Sequence, residues 1–299
     1  MRQQHVLRDF GVLAAVTLSL AFVCDRAFAQ GEQKHAAPGV SKPARIVSLD
    51  LCTDQLLIEL VERERIAAVT HLAADQAVSA IPAKARGIPS TRGGAEDVLR
   101  HDPDLVLAGP FGVSATVSLL RRLKRNVVVV PQPSDLAGVA ASVRAVASAV
   151  GEELRGEAIV ASFNRRLAGA RKAKTASAPT AVIYQVGGSI SGPGSLADAV
   201  LAAAGLRNMA AAYRLTRNGQ VPLEALVAKP PDLLVLSSAA DAYRTAIADN
   251  LRHPALSAVR RRVASIELPW QLWLCGTPHI AEAVERLAGA RAGIGARGP

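Results

Sequence analysis

Apolar and polar positions along the chain fall into short alternating blocks. Arg45-Ile46-Val47-Ser48-Leu49 is a short run of buried-strand type. Residues 52–60 then carry apolar side chains at helical spacing, with Thr53 as a candidate N-cap. Residues 65–69 read as the next strand, and 105–107 and 127–130 are short apolar runs of the parallel-sheet kind. The second half repeats the plan, with strands over 181–184, 233–236 and 263–268. Its helices fall at 196–204, closed by Gly205, and at 278–290, with Pro278 in the first turn. Strands that alternate with helices predict an α/β fold built on a doubly wound sheet.

One pair of segments is alike in detail. Glu96-Asp97-Val98-Leu99 leads to Pro103-Asp104-Leu105, and Glu224-Ala225-Leu226-Val227 leads to Pro231-Asp232-Leu233. In each, a Glu opens a short helix, where its charge suits the helix N-terminus, and Pro-Asp seven residues later turns into a buried strand. Matching spacing points to two related lobes. Between them, residues 134–174 show no strand pattern. Leu136, Val139, Val143, Val146 and Val150 are helically spaced; Gly151 interrupts; Ile159, Phe163 and Leu167 then resume the spacing. The expected order is an N-terminal lobe over 44–133, a helical connector over 134–174, a C-terminal lobe over 175–292 and a flexible tail over 293–299. A long connecting helix predicts a stiff joint. Two such lobes leave a cleft at the carboxyl ends of their strands, where open α/β sheets bind ligands.

The N-terminus predicts the compartment. Arg2 and Arg8 precede an apolar run over 11–23, and Ala27-Phe28-Ala29 stands before Gln30. Residues 1–29 thus read as a secretory signal, followed by a polar linker over 30–43. The run is too short for a membrane anchor. The formal charge is +10, and +9 remains once the signal is removed. The arginines are scattered over helices, and no basic stripe alternates with aromatics, so nucleic acid is not an expected partner. Half of the 299 residues are hydrophobic, which excludes a disordered chain. Three cysteines are too few for a disulfide scaffold.

No catalytic constellation stands out. There is no G-x-S-x-G elbow, and residues 187–194 are Gly-rich without being G-x-G-x-x-G or a P-loop. The histidines lack zinc spacing, so neither a metal nor a cofactor is expected. Cys52 and Cys275 stand apart, each after a predicted strand and near a helix start, one per lobe. Three readings stay open. They form a disulfide that clamps the lobes, they are thiols facing a ligand, or they are two unrelated small residues. Topology places further candidates at the cleft: Asp50 and Thr53; Arg92; Phe111; Gln185 and Ser189; Tyr213, Arg214 and Arg217; Trp270, Gln271 and Trp273. The two tryptophans serve either as a ligand platform or as seals of the lobe core.

The run Arg45 to Leu49, the segment Gly93 to Leu107 and the end Trp273 to Leu287, in this order and spacing, resemble the periplasmic substrate-binding proteins for vitamin B12, iron-siderophores and haem. The resemblance covers about residues 43–291. It implies two Rossmann-like lobes joined by one long helix, a shallow cleft, no catalysis, and delivery of a metal chelate or corrinoid to an ABC permease in the inner membrane. Glu96 and Glu224 match the family's two docking carboxylates. The cleft arginines favour an anionic iron-siderophore, and few aromatics weigh against vitamin B12. Haem needs an axial ligand, for which Tyr213 is the cleft candidate. A monomer is expected. Two readings of another class remain: a periplasmic thiol-dependent enzyme, or a metal-binding sensor using Cys52 and Cys275.

Overall fold

The computed structural model describes residues 42–170, 177–237 and 251–295. The expected signal segment 1–29, nearly all of the linker over 30–43 and residues 296–299 lie outside them.

The first lobe is built on a five-stranded parallel sheet of order β3-β2-β1-β4-β5. Its strands are β1 (Ile46–Ser48), β2 (Ile66–Thr70), β3 (Ser90–Thr91), β4 (Leu105–Ala108) and β5 (Val127–Val129). Its helices are α1 (Leu51–Leu60), α2 (Pro82–Ala85), α3 (Ala95–Arg100) and α4 (Ser114–Arg122). Ile46 and Val47 of β1 enter apolar clusters on opposite faces of the sheet. A central strand covered on both sides buries both faces, which is why Ile46 and Val47 are both apolar and the buried Ser48 needs the Thr53 hydroxyl as partner.

Two helices follow, α5 (Leu136–Val150) and α6 (Glu153–Ala170). Asp135 caps α5 by accepting from the Gly138 N–H at 2.6 Å, and Gly151 ends it in the left-handed region at φ 71°. The long joining helix is α6. Its Val160 lies in the first-lobe core, and Phe163, Leu167 and Ala170 lie in the second. α5 packs along it so closely that a Cβ on Gly156 would stand 2.5 Å from the Ala147 methyl.

The second lobe carries β6 (Thr180–Tyr184), β7 (Ser189–Ile190), β8 (Arg207–Asn208), β9 (Gly219–Gln220), β10 (Leu233–Ser237) and β11 (Ala264–Leu268). The order is β11-β10-β6-β7-β9, with β8 also on β6; β10 runs parallel to β6 and β11, and β7 and β9 pair antiparallel. Its helices are α7 (Leu196–Ala203), α8 (Leu223–Ala228), α9 (Pro254–Arg262), α10 (Gln271–Leu274) and α11 (Ile280–Gly295).

The repeated Pro-Asp has the same task in both lobes. The Asp104 carboxylate accepts from the Ala44 and Arg45 N–H groups at 2.6 and 3.0 Å, just before β1. The Asp232 carboxylate accepts from the Thr180 N–H at 2.7 Å, at the start of β6. Each aspartate thus sets the entry of its lobe's first strand.

Three expectations change. Thr53 is not the N-cap of α1; Asp50 is, in extended backbone, accepting from the Cys52 and Thr53 N–H groups at 2.9 and 3.3 Å. The Thr53 hydroxyl turns inward to Ser48 instead, at 2.8 Å. α4 and α9 had no counterpart in the apolar pattern because each buries only two residues. α11 continues to Gly295, past the expected boundary at 292.

Candidate functional site

The strands of the first lobe deliver Asp50 after β1, Pro110 and Phe111 after β4, and Pro131, Gln132 and Pro133 after β5. With Cys52 and Thr53, and with Gly276 from the second lobe, these residues line a small open hollow. It lies at the carboxyl ends of the parallel strands, as the fold rule requires. Asp50 is wedged against the chain after β4: a Cβ on Gly109 would stand 2.6 Å from its carboxyl group. Phe111 stands at the rim with 70 % of its surface exposed. An aromatic ring left in water beside a hollow is a natural platform for a flat or apolar ligand.

The second lobe meets the first beside this hollow. Cys52 and Cys275 form a disulfide with their Cα atoms 5.1 Å apart. Of the three readings, the lobe-clamping disulfide is the one observed. While the bond stands, neither sulfur is a free thiolate or a metal ligand. Around the bond, Leu51, Leu72 and Val78 of the first lobe pack with Trp270, Leu274 and Cys275 of the second. The Gln271 side-chain amide donates to the Gln76 carbonyl at 3.4 Å. Gly276 presses on the Pro133 ring, where a Cβ would collide. His279 Nε2 stands 3.3 Å from Glu59 Oε1, and Lys84 Nζ stands 3.1 Å from the same oxygen. Burial pushes the Glu59 carboxyl up, but His279 and Lys84 outweigh it and hold it below its ordinary value.

The two tryptophans are therefore packing residues in large part. Trp270 joins the inter-lobe cluster, and Trp273 packs on the second-lobe core. Gln185 and Ser189 flank the turn after β6, at the cleft end of the second lobe, and the Gln185 N–H donates to the Ser189 carbonyl. Arg92 is exposed after β3. Tyr213, Arg214 and Arg217 are not among the residues that line the hollow. The Tyr213 hydroxyl donates to the Lys229 carbonyl at the far end of α8 at 2.5 Å, and burial pushes it up to about 12. Arg217 backs onto Gly192, beyond the β7–β9 pairing and away from the turn after β6. The remaining described tyrosine, Tyr184, is a buried core residue. Pro110, Gln132, Pro133 and Gly276 were not foreseen. The strand expected over 127–130 was the available signal, since its carboxyl end must face the cleft as those of β1 and β4 do.

Beneath the site, Asp54 is fully buried. It accepts from the Thr70 N–H at 3.2 Å and the Thr70 hydroxyl at 2.5 Å. Burial pushes its carboxyl up to about 7, against hydrogen bonds from Ser48 and Thr70.

Glu96 and Glu224 are exposed in the first turns of α3 and α8. The turn carrying Glu96 is firmly built. Asp97 accepts from the Thr91 hydroxyl at 2.6 Å, the Arg92 N–H at 3.0 Å and Arg100 at 2.6 Å. These donors hold its carboxyl well below the usual range. Among the described residues, no group of three His, Cys, Asp or Glu side chains is placed to hold a metal ion.

The family model described as periplasmic binding protein matches residues 46–262. The chain belongs to the periplasmic binding protein family. A cobalamin-binding protein of Halobacterium salinarum is 29% identical over 205 residues, which is 67% of this chain and 56% of that protein. The match thus spans little more than half of that relative's length. Among solved structures, the apo periplasmic haem-binding protein RhuT from Roseiflexus sp. RS-1 superposes with a TM-score of 0.70 at 24% identity, over 84% of this chain and 98% of that one. The periplasmic vitamin B12 binding protein BtuF of Vibrio cholerae gives 0.66 at 20%, over 85% and 98%. An ABC-type Fe3+-hydroxamate transport protein from Saccharomonospora viridis gives 0.63 at 24%, over 83% and 93%. These likenesses carry the two-lobed fold of the periplasmic binding proteins.

Proposed function

We propose that this periplasmic binding protein captures a bulky metal chelate in the inter-lobe cleft and hands it to an ABC permease in the inner membrane. The observation that carries the reading is the hollow at the strand ends of the first lobe, closed on one side by Gly276 of the second, with Phe111 exposed on its rim. Asp50, Arg92, Phe111 and Gln132 offer contacts from the first lobe, and Gln185 and Ser189 from the second. Thr53 and Leu56 form the floor of the hollow. Trp270, Gln271, Trp273, Cys52 and Cys275 serve the same site by fixing its second wall.

The cobalamin-binding relative makes a corrinoid the first ligand to try, and the Fe3+-hydroxamate neighbour makes a ferric siderophore the second. Haem stands behind these, because Tyr184 is buried and the Tyr213 hydroxyl, the candidate axial oxygen, is engaged with the Lys229 carbonyl. Residues 1–29 direct export, Glu96 and Glu224 dock on permease arginines, and the protein acts as a monomer without catalysis. The two glutamates occupy equivalent turns of equivalent helices, as a two-point contact on a symmetric permease requires.

The test is uptake by cells carrying Glu96→Arg and Glu224→Arg together, with cyanocobalamin and ferrioxamine as probes. Uptake of the bound probe should be lost while the purified variant keeps the parent affinity. Uptake that survives the double change rules out this docking surface.

A further inference from the structure

The disulfide sits at the meeting line of the two lobes. Cys52 follows β1 and Cys275 follows α10, 223 residues apart in sequence. Beside the bond runs a polar seam that is poorly satisfied. Gln55 lies one turn after Cys52 and one turn before Glu59, on the same face of α1. Both neighbours on that face touch the second lobe, through Cys275 and His279. Gln55 is 1% exposed, and neither atom of its amide has a hydrogen-bond partner. Glu59 is paired with His279 and Lys84, so the unmet polar group on this face is the Gln55 amide. Closing the seam therefore strips water from the Gln55 amide and returns no hydrogen bond to it, a cost that opening would relieve. The apolar cluster around Trp270 and Leu274 and the covalent bond hold the seam shut against it.

We propose that the Cys52–Cys275 bond is a redox latch on the cleft. Oxidised, it fixes the spacing of the lobes; reduced by a dithiol, it lets them part along Gln55, Glu59 and His279. The proposal rests on the two-lobed binding reading above. Access favours attack at Cys52, which is partly exposed, over Cys275, which is buried. A thiolate of the dithiol attacks Cys52 Sγ, the S–S bond breaks, and Cys275 leaves as a thiolate that takes up a proton. The second thiol of the reductant then attacks the mixed disulfide and releases Cys52. Two electrons pass to the protein, and the dithiol ends as its own disulfide.

The test is hydrogen exchange on the full chain in three forms: oxidised, reduced with dithiothreitol, and as the Cys52→Ser, Cys275→Ser double variant. The latch predicts that amides in residues 51–55 and 271–281 speed up in the last two forms by roughly tenfold or more beyond any change in β1, β4, β6 and β10, whose protection follows global stability. Equal protection of the seam in all three forms overturns it. A loss of protection as large in the strands as in the seam also overturns it, because the bond would then act only as a general staple. Gln55→Leu in the reduced protein should return much of the lost protection, and no return sinks the role given to the seam. None of these readouts needs a ligand. Titration of each form with cyanocobalamin and ferrioxamine judges the binding reading separately.

Discussion

Asp54 shows how one side chain beneath the site reports on its environment. Its carboxyl is raised to about 7 by burial, whereas in the unfolded chain it titrates in the ordinary range. The folded protein therefore holds a proton that the unfolded chain releases, and this group's contribution to stability falls as pH rises from about 4 to about 7. Asp54→Asn keeps an acceptor for Thr70 and cannot ionise. Chemical denaturation at pH 5.5 and 8 should show the parent losing stability at the higher pH and the variant losing much less. An equal loss in both would place the titrating group elsewhere. A second residue carries the proposed contact surface. Phe111→Ala removes an exposed ring from the rim, so it should weaken probe binding by about tenfold, in line with about 1.4 kcal/mol, and leave the melting temperature nearly unchanged. Sequence reasoning found Phe111 because it follows an obvious strand. It did not foresee the two-residue strands β7 and β9 on either side of the segment carrying Tyr213 and Arg217, because strands so short leave no apolar pattern to read.

At the scale of elements, the apolar runs of β1, β4, β6 and β10 were legible because each is buried on both faces, and the helical spacing of α5 and α6 was legible because both cross between cores. What the pattern did not show was how α1 begins. An Asp and a Thr three residues apart both suit an N-cap, and only the packing of Asp50 against Gly109 and of Thr53 against Ser48 decides between them. Asp50→Ala should cost about 1 kcal/mol as a lost cap, measurable by urea denaturation. Gly276 decides how closely the lobes meet. Gly276→Ala drives a methyl into Pro133 and should cost roughly 1–3 kcal/mol, with the hollow disturbed and probe affinity reduced. A Gly276→Ala protein as stable as the parent would show that the lobes are not pressed together there.

For the whole molecule, the covalent link joins residues 223 apart in sequence. Closing so long a loop removes unfolded-chain entropy equivalent to about 5 kcal/mol in the loop-entropy model, which real disulfides often fall short of. Guanidinium denaturation of the oxidised and reduced protein should show the reduced form less stable by up to that amount. The pairing could not be read from sequence, because the separation of two residues in different lobes depends on how the lobes meet. The two lobes themselves were readable from the matching Glu-to-Pro-Asp spacing, and the structure gives that spacing a shared physical role in Asp104 and Asp232.

The central claim is that the cleft binds a metal chelate. Its most direct test is isothermal titration of the chain lacking residues 1–29 with cyanocobalamin, ferrioxamine and haemin, on the parent and on Phe111→Ala. The account predicts saturable one-to-one binding of one probe class at micromolar concentration or below, weakened by the substitution. Absence of binding by all three to the parent, in its oxidised and reduced forms, would contradict it.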